Sequence, residues 1–364
     1  MRILQIIQRN QLRGAEVFAC QLSEQLIKLG HSVDVMILFG DKIAPLDYSV
    51  SFLFLHADEN RRWFNFKAYK KLAQVIKKNK YDIVQANAGD TLKYASLSKK
   101  IYKWKSTLIF RNANKLGDFL TSNPKKIINA WLMKEVDFVA SVSQECLSNF
   151  LQFFPDFKNR IEYLPIGIKI ITPPKYLSLS QIDIEGKGPF ILHVARFMPE
   201  KNHFGLVSIF SNILTSYPDA KLLLIGEGKT KENIINLVSE KKLNKSILFL
   251  GERKDVLSIM SCCDMLVLPS LIEGLPGVIL EAFLQKLPVI AYNVGGIKEL
   301  IKNNQTGWIV PKNNQTDFLD AIKKCLESNN NTLKNSAYDI AINKFSINNI
   351  SDRFVFIYNK LIAV

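Results

Sequence analysis

Two glutamates in the second half of the chain have a type and spacing suited to hydroxyl recognition. Glu273 lies in a glycine-bearing loop, and Glu281 follows eight residues later, inside a helix expected to begin near Pro276. Carboxylates accept hydrogen bonds from hydroxyls, so Glu281 suits a ribose diol and Glu273 the hydroxyls of a sugar. Gly277, one turn before Glu281 on the same helix face, leaves that carboxylate open space. Alternatively, Glu281 is an ordinary exposed helix residue and Glu273 caps the helix.

Two cations lie upstream on a second loop, which is expected to follow the strand Phe190–Val194. Arg196 and Lys201 are five residues apart, and together they suit a diphosphate, the arginine through its fork and the lysine as a point charge. Stabilising a departing diphosphate is the main electrostatic task when a sugar–phosphate bond breaks. The alternative is a pair of surface cations bridged to Glu200.

Glycine turns follow several of the expected strands. They are Gly226-Glu227-Gly228, Gly251, Asn293-Val294-Gly295-Gly296 and, in the first half, Arg13-Gly14-Ala15-Glu16. Each turn is a place where the backbone is able to approach a phosphate or a base, and turn geometry by itself explains them equally well.

Strand and helix patterns alternate along the chain, which predicts α/β domains with parallel sheets. The first strand is expected over Arg2–Gln8, the first helix over Ala15–Leu29 and the next strand over Ser32–Leu38. The regularity lapses in a Pro- and Gly-rich stretch and then restarts. We therefore expect a Rossmann-like domain over 1–170, a linker over 171–189 and a second Rossmann-like domain over 190–348. A last helix is expected over Asn349–Leu361.

Length and composition exclude several classes of protein. The 364 residues are enough for about two cores, and 48% hydrophobic with 22% charged residues fits a soluble globular chain, not a disordered or collagen-like one. The five cysteines have no CxxC spacing, which argues against disulfides and a zinc site and favours the cytoplasm. The sequence has no signal-peptide pattern and no stretch of about 20 apolar residues for a membrane span.

Positive charge is concentrated in the first half. Residues 1–170 hold 26 Lys and Arg against 15 Asp and Glu, a net charge of +11. Cations alternate with aromatic residues over 61–80 and again over 99–105. This pattern suits an anionic membrane surface or nucleic acid, although Trp63, Phe66 and Tyr69 are equally expected as core contacts beside a solvated lysine face.

Several of these motifs together resemble glycosyltransferase family 4, the retaining sugar-nucleotide transferases of GT-B fold. The resemblance rests on Arg196 with Lys201, Gly226-x-Gly228, the Asp264–Ser270 strand, Glu273-x7-Glu281, Pro288–Ala291 and Gly295-Gly296. It covers residues 190–311 and, less closely, the first 40 residues. It implies two doubly wound parallel-sheet domains that face each other across a cleft, with the last helix packing back on the first domain.

The resemblance also implies roles for particular residues. The catalytic residues would be Arg196, Lys201 and Glu273. The donor-binding residues would be Gly14, Arg196, Lys201, Gly226, Gly251, Arg253, Glu273, Gly274, Leu275, Pro276, Gly277 and Glu281. Transfer would retain the anomeric configuration without a metal or cofactor, from a UDP- or GDP-sugar, and the chain has no Asp-x-Asp pair.

The first domain departs from the family pattern. Arg13 replaces one of two glycines usual in the first turn, and no histidine lies where relatives carry one near the reacting sugar. Asn87, Arg111 and Asn112 are therefore expected to supply polar contacts on the acceptor side.

The leading interpretation is a cytoplasmic glycosyltransferase, peripheral on the inner membrane face through residues 61–80 and 99–105. Its acceptor would be a saccharide or a polyprenyl-linked saccharide in bacterial surface polysaccharide assembly. The alternatives are a transferase acting on a small molecule or protein, a GT-B epimerase or phosphorylase, and a non-catalytic nucleotide-binding partner subunit. A nucleic-acid-binding protein is disfavoured, because the clustered carboxylates repel a phosphate backbone and no recognition motif is present.

Overall fold

The computed structural model describes residues 1–40, 48–61, 63–170, 184 and 186–363. The chain forms two compact units, one of Met1–Lys169 with Phe345–Val364 and one of Ile170–Lys344. The chain returns from the second unit to the first at Phe345, which is four residues before the expected start of the last helix. Most of the expected linker, residues 171–183 and 185, lies outside the described residues.

The first unit has one parallel sheet with helices on both faces. Its strands are β1 (Arg2–Arg9), β2 (Ser32–Phe39), β3 (Ser51–Phe54), β4 (Ile83–Ala86), β5 (Thr107–Asn112), β6 (Phe138–Ser141) and β7 (Ile161–Tyr163). Its helices are α1 (Gly14–Lys28), α2 (Phe66–Asn79), α3 (Gly89–Tyr102), α4 (Asn123–Met133), α5 (Gln144–Phe153) and, at the end of the chain, α13 (Ile347–Ile362). The strands lie in the order β3-β2-β1-β4-β5-β6-β7.

The alternation of side chains along β1 divides the core of this unit into two layers. Leu4 and Ile6 face α2 and α3, whereas Ile3 faces α1 and α13. The helix α13 belongs to this second layer, because the centre of its Phe354 ring lies 6.0 Å from the centre of the Phe18 ring of α1. Gly167 permits the approach of α13, since a Cβ there would lie 2.9 Å from the Ile347 backbone.

The second unit repeats this architecture. Its strands are β8 (Phe190–Val194), β9 (Lys221–Ile225), β10 (Ile247–Gly251), β11 (Met265–Leu268), β12 (Val289–Tyr292) and β13 (Trp308–Val310). Its helices are α6 (His203–Ile213), α7 (Lys231–Glu240), α8 (Val256–Met260), α9 (Gly277–Leu284), α10 (Ile297–Leu300), α11 (Gln315–Glu327) and α12 (Asn331–Lys344). The parallel strands lie in the order β10-β9-β8-β11-β12-β13, so the winding direction reverses between β8 and β11. The predicted α/β class with two doubly wound parallel sheets is confirmed.

Candidate functional site

Most of the expected donor residues of the second unit lie on loops at the carboxyl edge of its sheet, and Gly277 and Glu281 lie on the helix α9 that follows one of these loops. Arg196 and Lys201 follow β8, and Glu273 follows β11, the strand that pairs directly with β8 through Met265 and Ile191. Ligands of doubly wound sheets bind outside the carboxyl ends of the strands where the winding reverses. The two loops therefore flank the position that the topology reserves for a ligand.

Three contacts join these two loops. The Lys201 ammonium donates to Glu273 Oε1 at 2.6 Å, and the Leu271 N–H donates to the Glu200 carbonyl at 2.7 Å. The Asn202 amide donates to the Pro269 carbonyl at 3.1 Å. Lys201 is thus paired with the predicted sugar-binding carboxylate and not with Glu200, which had been its alternative partner.

Asn202 also fixes where the helix after the first loop begins. Its backbone is left-handed at φ +57°, and its side-chain oxygen accepts from the Gly205 N–H at 3.2 Å, which caps α6. Asparagine tolerates this conformation better than most residues. One side chain thereby ties the start of α6 to the loop that carries Glu273.

Two other charged donor residues, Arg196 and Glu281, have unpaired side chains. Among the residues that the structure describes, neither the Arg196 nor the Glu281 side chain has a hydrogen-bond or ion-pair partner. Glu281 lies on α9, whose first residue is Gly277, so Pro276 is the N-cap and not the first helical residue. Burial raises the pKa of Glu281 to about 7. A partly buried carboxylate without a side-chain partner is suited to a hydroxyl ligand, which would supply the missing donors.

Gly226 and Gly228 hold the Arg196 loop in place. Both have positive φ, +138° and +158°, and a Cβ on either would collide with loop backbone, 2.9 Å from the Ala195 carbonyl carbon and 2.8 Å from that of Phe197. The Phe197 N–H donates to the Glu227 carbonyl at 3.1 Å. These glycines therefore allow close packing of two protein loops, a reason that differs from the expected approach to a ligand.

Gly295 and Gly296 support the loop of Glu273 in the same way. A Cβ on Gly295, where φ is +55°, would collide with the Glu273 carbonyl group, and the Gly296 N–H donates to the Gly274 carbonyl at 2.6 Å. Gly274, Leu275 and Pro276 are buried beneath this contact. The loop after β12 is thus part of the scaffold of the site.

Gly251 and Arg253 lie farther along the same edge. The Gly251 carbonyl accepts from the Gly226 N–H at 2.8 Å. Arg253 makes two hydrogen bonds to the Asp255 carboxylate, of 2.8 and 2.6 Å, and they hold the pKa of Asp255 below its usual range. In this structure Arg253 is bound by a neighbouring carboxylate, so a ligand would have to compete for it.

Two buried histidines beneath the Arg196 loop received no role from the sequence. His193 Nδ1 lies 2.8 Å from the Val267 carbonyl, and its ring contacts that of His203 edge-on at 4.8 Å. His203 stacks on Phe197 at 4.1 Å. Burial lowers the pKa of both imidazoles, so both are neutral at pH 7. The pattern His193-x9-His203 has no metal-ligand spacing, and only the fold brings the rings together.

The expected residues of the first unit are mostly internal. Gly14 is the exception, because it is exposed at the start of α1 and a Cβ added there would meet none of the described residues within 4 Å. Asn87, Arg111 and Asn112 are each only 1% exposed. Asn112 donates to the Cys146 carbonyl at 3.2 Å.

Asn87 belongs to a closed ring of buried polar side chains. Asn87 donates to Gln5 at 2.9 Å and accepts from Gln85 at 2.9 Å, while the Tyr358 hydroxyl of α13 donates to Gln85 at 2.6 Å and accepts from Gln5 at 3.4 Å. The amide of Asn87 is thus used within the protein.

Arg111 is a buried cation beside that ring. Its guanidinium carbon lies 3.7 Å from the centre of the Phe18 ring, and Nη1 has no partner among the described residues. Burial lowers its pKa to about 9.

The two basic aromatic segments of the first unit differ in the structure. In the segment 99–105, Trp104 is 3% exposed, and Lys99 and Lys100 pair with Asp137 and Glu135 at 2.5 and 3.2 Å. In the segment 61–80, Tyr69 is buried, whereas Trp63, Phe64 and Phe66 are exposed. Arg62 lies outside the described residues.

Within the described ranges, no helix combines the length and apolar character needed to cross a bilayer. Nor do those ranges contain a group of three or more His, Cys, Asp or Glu side chains arranged to hold a metal ion.

Two family comparisons divide the chain much as the structure does. Glycosyltransferase Family 4 matches residues 12–170, and Glycosyl transferases group 1 matches residues 178–341. HepE of Anabaena, solved in complex with UDP and glucose, aligns with 99% of this chain and 100% of its own, at a TM-score of 0.83 and 20% identity.

Curated relatives match over shorter stretches. An Escherichia coli UDP-Gal:alpha-D-GlcNAc-diphosphoundecaprenol alpha-1,3-galactosyltransferase is 29% identical over 174 residues, which are 47% of this chain and 45% of the relative. A Campylobacter jejuni N-acetylgalactosamine-N,N'-diacetylbacillosaminyl-diphospho-undecaprenol 4-alpha-N-acetylgalactosaminyltransferase is 25% identical over 241 residues, 64% of each chain. The chain thus spans between about half and two thirds of the length of these relatives.

Two doubly wound units and this structural likeness define a protein of GT-B fold. The chain belongs to the family 4, group 1 glycosyltransferases.

Proposed function

We propose that this protein transfers a sugar, with retention and without a metal, from a nucleoside-diphosphate sugar to a saccharide or lipid-linked saccharide. The observation that carries the proposal is the cluster at the β8–β11 reversal. There, Lys201 and Glu273 are joined at 2.6 Å, while the side chains of Arg196 and Glu281 have no protein partner within the described residues. Family membership supports it, because the members that match by sequence are named as glycosyltransferases.

Each charged group has a chemical task in this proposal. Arg196 and Lys201 bind the diphosphate and stabilise the negative charge that develops on it as the sugar leaves. Glu281 accepts hydrogen bonds from the ribose hydroxyls, and Glu273 accepts them from the donor sugar.

The reaction needs no further group. The acceptor oxygen forms a bond to the anomeric carbon on the face from which the diphosphate departs, and the bond to the phosphate oxygen breaks. The acceptor hydroxyl proton passes to the leaving phosphate, so atoms and charge balance without an external base.

The names of relatives support finer features of the substrates. The two curated relatives are named for diphosphoundecaprenol-linked acceptors, one of them with a UDP-sugar, and HepE was solved with UDP. We therefore place UDP-sugars ahead of GDP-sugars as donor, and a polyprenyl-linked saccharide of a surface polysaccharide as acceptor. Asn87, Arg111 and Asn112 remain the proposed acceptor-side residues, although their burial means that they would act by supporting neighbours.

A thermal-shift panel of UDP, GDP, ADP, CMP and their sugar conjugates tests the donor site. A ligand at 100 times its Kd stabilises the fold by about 2.7 kcal/mol, which raises Tm by a few degrees. We expect one nucleotide family to raise the Tm of the wild type and to have little effect on Glu281→Ala. Glu240→Ala, an exposed glutamate at the end of α7, is the matched control and should respond as the wild type does.

Hydrolysis and transfer assays with the stabilising donor complete the test. Binding with neither hydrolysis nor transfer would favour a non-catalytic nucleotide-binding subunit. An equal Tm response of Glu281→Ala and the wild type would contradict the proposed ribose contact.

A further inference from the structure

The helix α4 is the least covered helix of the first unit. Of its residues only Leu132 and Met133 are buried, whereas Ile127, Ile128 and Trp131 are 68%, 40% and 40% exposed. Phe119, just before the helix, is 52% exposed. Single exposed apolar side chains are ordinary, but a contiguous group of them on one short helix marks an interaction surface.

Positive charge predominates around this apolar group, which Asp118 and Glu135 adjoin at its two ends, Glu135 being the ion-pair partner of Lys100. No acidic residue occurs between Phe119 and Lys134, while Lys125, Lys126 and Lys134 are all exposed. The Lys100 ammonium lies 4.8 Å from the centre of the Trp131 ring. Such a helix is typical of one that lies in a membrane interface, with its apolar side chains among the acyl chains and its lysines among anionic headgroups.

A second exposed group lies on the same side of the unit. The helix α3 packs against both α2 and α4, and Trp63, Phe64 and Phe66 are exposed at the start of α2. Both helices bury their other sides in the core layer of Leu4 and Ile6, on the sheet face opposite to α13. The exposed apolar groups of α2 and α4 therefore belong to one face of the first unit.

We propose that α4 is a docking helix for an anionic lipid bilayer, with Ile127, Ile128 and Trp131 entering the interface and Lys125, Lys126 and Lys134 contacting lipid phosphates. The inference extends the proposed function, since a lipid-linked acceptor is presented at such a surface. It assigns the contact chiefly to α4, a segment outside the two stretches that charge patterning singled out.

Charge favours lipid over a second copy of the chain. In a symmetric dimer built on α4 the same surface would face itself, which would bring the lysines of both copies together. An anionic bilayer instead complements the charge of this face.

Flotation with vesicles tests the proposal without donor or acceptor. We expect the wild type to float with vesicles of equal parts phosphatidylglycerol and phosphatidylcholine, and much less with phosphatidylcholine alone or in high salt. The double variant Ile127→Asn/Ile128→Asn should lose about tenfold in vesicle affinity. Phe356→Asn is the matched control, because Phe356 is also 68% exposed but lies on α13, and it should bind as the wild type does.

Tryptophan fluorescence locates the contact. Lipids brominated near the headgroup should quench the tryptophan fluorescence of the wild type. Trp131→Phe should remove most of this quenching, because Trp104 and Trp308 are buried and the exposed Trp63 lies before α2, outside the proposed contact. Quenching that survives in Trp131→Phe but disappears in Trp63→Phe would overturn the assignment to α4.

Two further outcomes would also overturn it. One is equal binding to neutral and anionic vesicles. The other is a concentration-dependent dimer of the wild type that the Ile127→Asn/Ile128→Asn variant abolishes. A cooperative thermal transition without ligand, at a Tm close to that of the wild type, shows that this variant is folded whether or not a nucleotide binds, so failure here is separable from failure of the proposed activity.

Discussion

The ion pair between Lys201 and Glu273 balances charge in the candidate donor site. The Glu273 side chain is 7% exposed and the lysine ammonium lies 2.6 Å away, so each charge compensates the other in the absence of a ligand. A diphosphate would attract Lys201 away from this carboxylate and leave Glu273 available to sugar hydroxyls. The pair therefore couples the two halves of the proposed donor.

Removing one partner of this pair should cost more than removing both. Lys201→Ala leaves a buried carboxylate unpaired, and we expect it to lower the free energy of unfolding by about 1–3 kcal/mol. Adding Glu273→Gln to that variant should restore part of the loss. Urea denaturation of the single and double variants measures this coupling. Strictly additive effects would contradict it.

Glu281 should link nucleotide binding to pH. Burial raises its pKa to about 7, so in the free protein the carboxyl group gains its proton near neutrality. The ionised form accepts hydrogen bonds from both ribose hydroxyls, and we expect nucleotide affinity to fall as pH decreases below about 7. Calorimetric titration with nucleotide between pH 6 and 8 measures this dependence, and an affinity that does not change with pH would contradict the role of Glu281.

The same pKa shift predicts the opposite effect on stability. The folded state binds the proton of Glu281 more tightly than the unfolded chain, for which the pKa is 4.5. Stability without ligand is therefore lost as pH rises from about 4.5 to 7. Glu281→Gln should raise Tm at pH 7.5 while weakening nucleotide binding, and a lower Tm for this variant would contradict the shift.

Arg111 allows a structural role to be separated from a functional one. Arg111→Met keeps most of the side-chain volume against Phe18 and removes a buried charge, so we expect little loss of stability. If the guanidinium supports the acceptor side, this variant should lose transfer and keep the nucleotide-induced Tm shift. Unchanged turnover would contradict the role.

At the scale of elements, loops from neighbouring strands hold each other in position. The loops after β9, β8, β11 and β12 contact in turn, through Gly226 and Gly228 on one side and Gly295 and Gly296 on the other. Glycine is required at these contacts because a Cβ would meet backbone atoms, which cannot move independently.

Gly226→Ala should therefore disturb binding through the Arg196 loop. The alanine would be strained at φ +138° and would collide with the Ala195 carbonyl, so we expect a loss of about 2 kcal/mol in stability and weaker nucleotide binding. Gly14→Ala is the contrasting variant, because the space around it is open, and its Tm should not fall. Crystal or NMR data that place the Arg196 loop unchanged in Gly226→Ala would contradict this account.

At the scale of the whole molecule, the end of the chain completes the first unit. The helix α13 covers one sheet face and closes the polar ring through the Tyr358 hydroxyl. Tyr358→Phe leaves Gln5 and Gln85 with unsatisfied buried groups, and we expect a cost of about 1–3 kcal/mol. Urea denaturation measures it. Tyr358→Leu should cost more because it also removes ring contacts with Phe354, and equal stability of all three proteins would contradict the role of the ring.

The amino-acid sequence by itself determined the α/β class, the restart of the pattern in a second domain and the family motifs. Periodicity reports local burial. Arg196, Lys201 and Glu273 follow expected strands, and Glu281 lies in the first turns of the helix after Glu273, so the sequence predicted all four at one sheet edge. Short edge strands such as β3 and β7 were missed, because three or four residues carry little periodic signal.

Only the tertiary structure decided which distant groups meet. Lys201 pairs with a carboxylate 72 residues away, and Gly226 and Gly295 approach protein backbone, which turn patterns do not reveal. Likewise, Trp104 is buried while Ile127 and Trp131 are exposed, although all three lie near lysines in sequence. The physical reason is that local spacing defines the faces of an element, whereas burial depends on which other elements pack against each face.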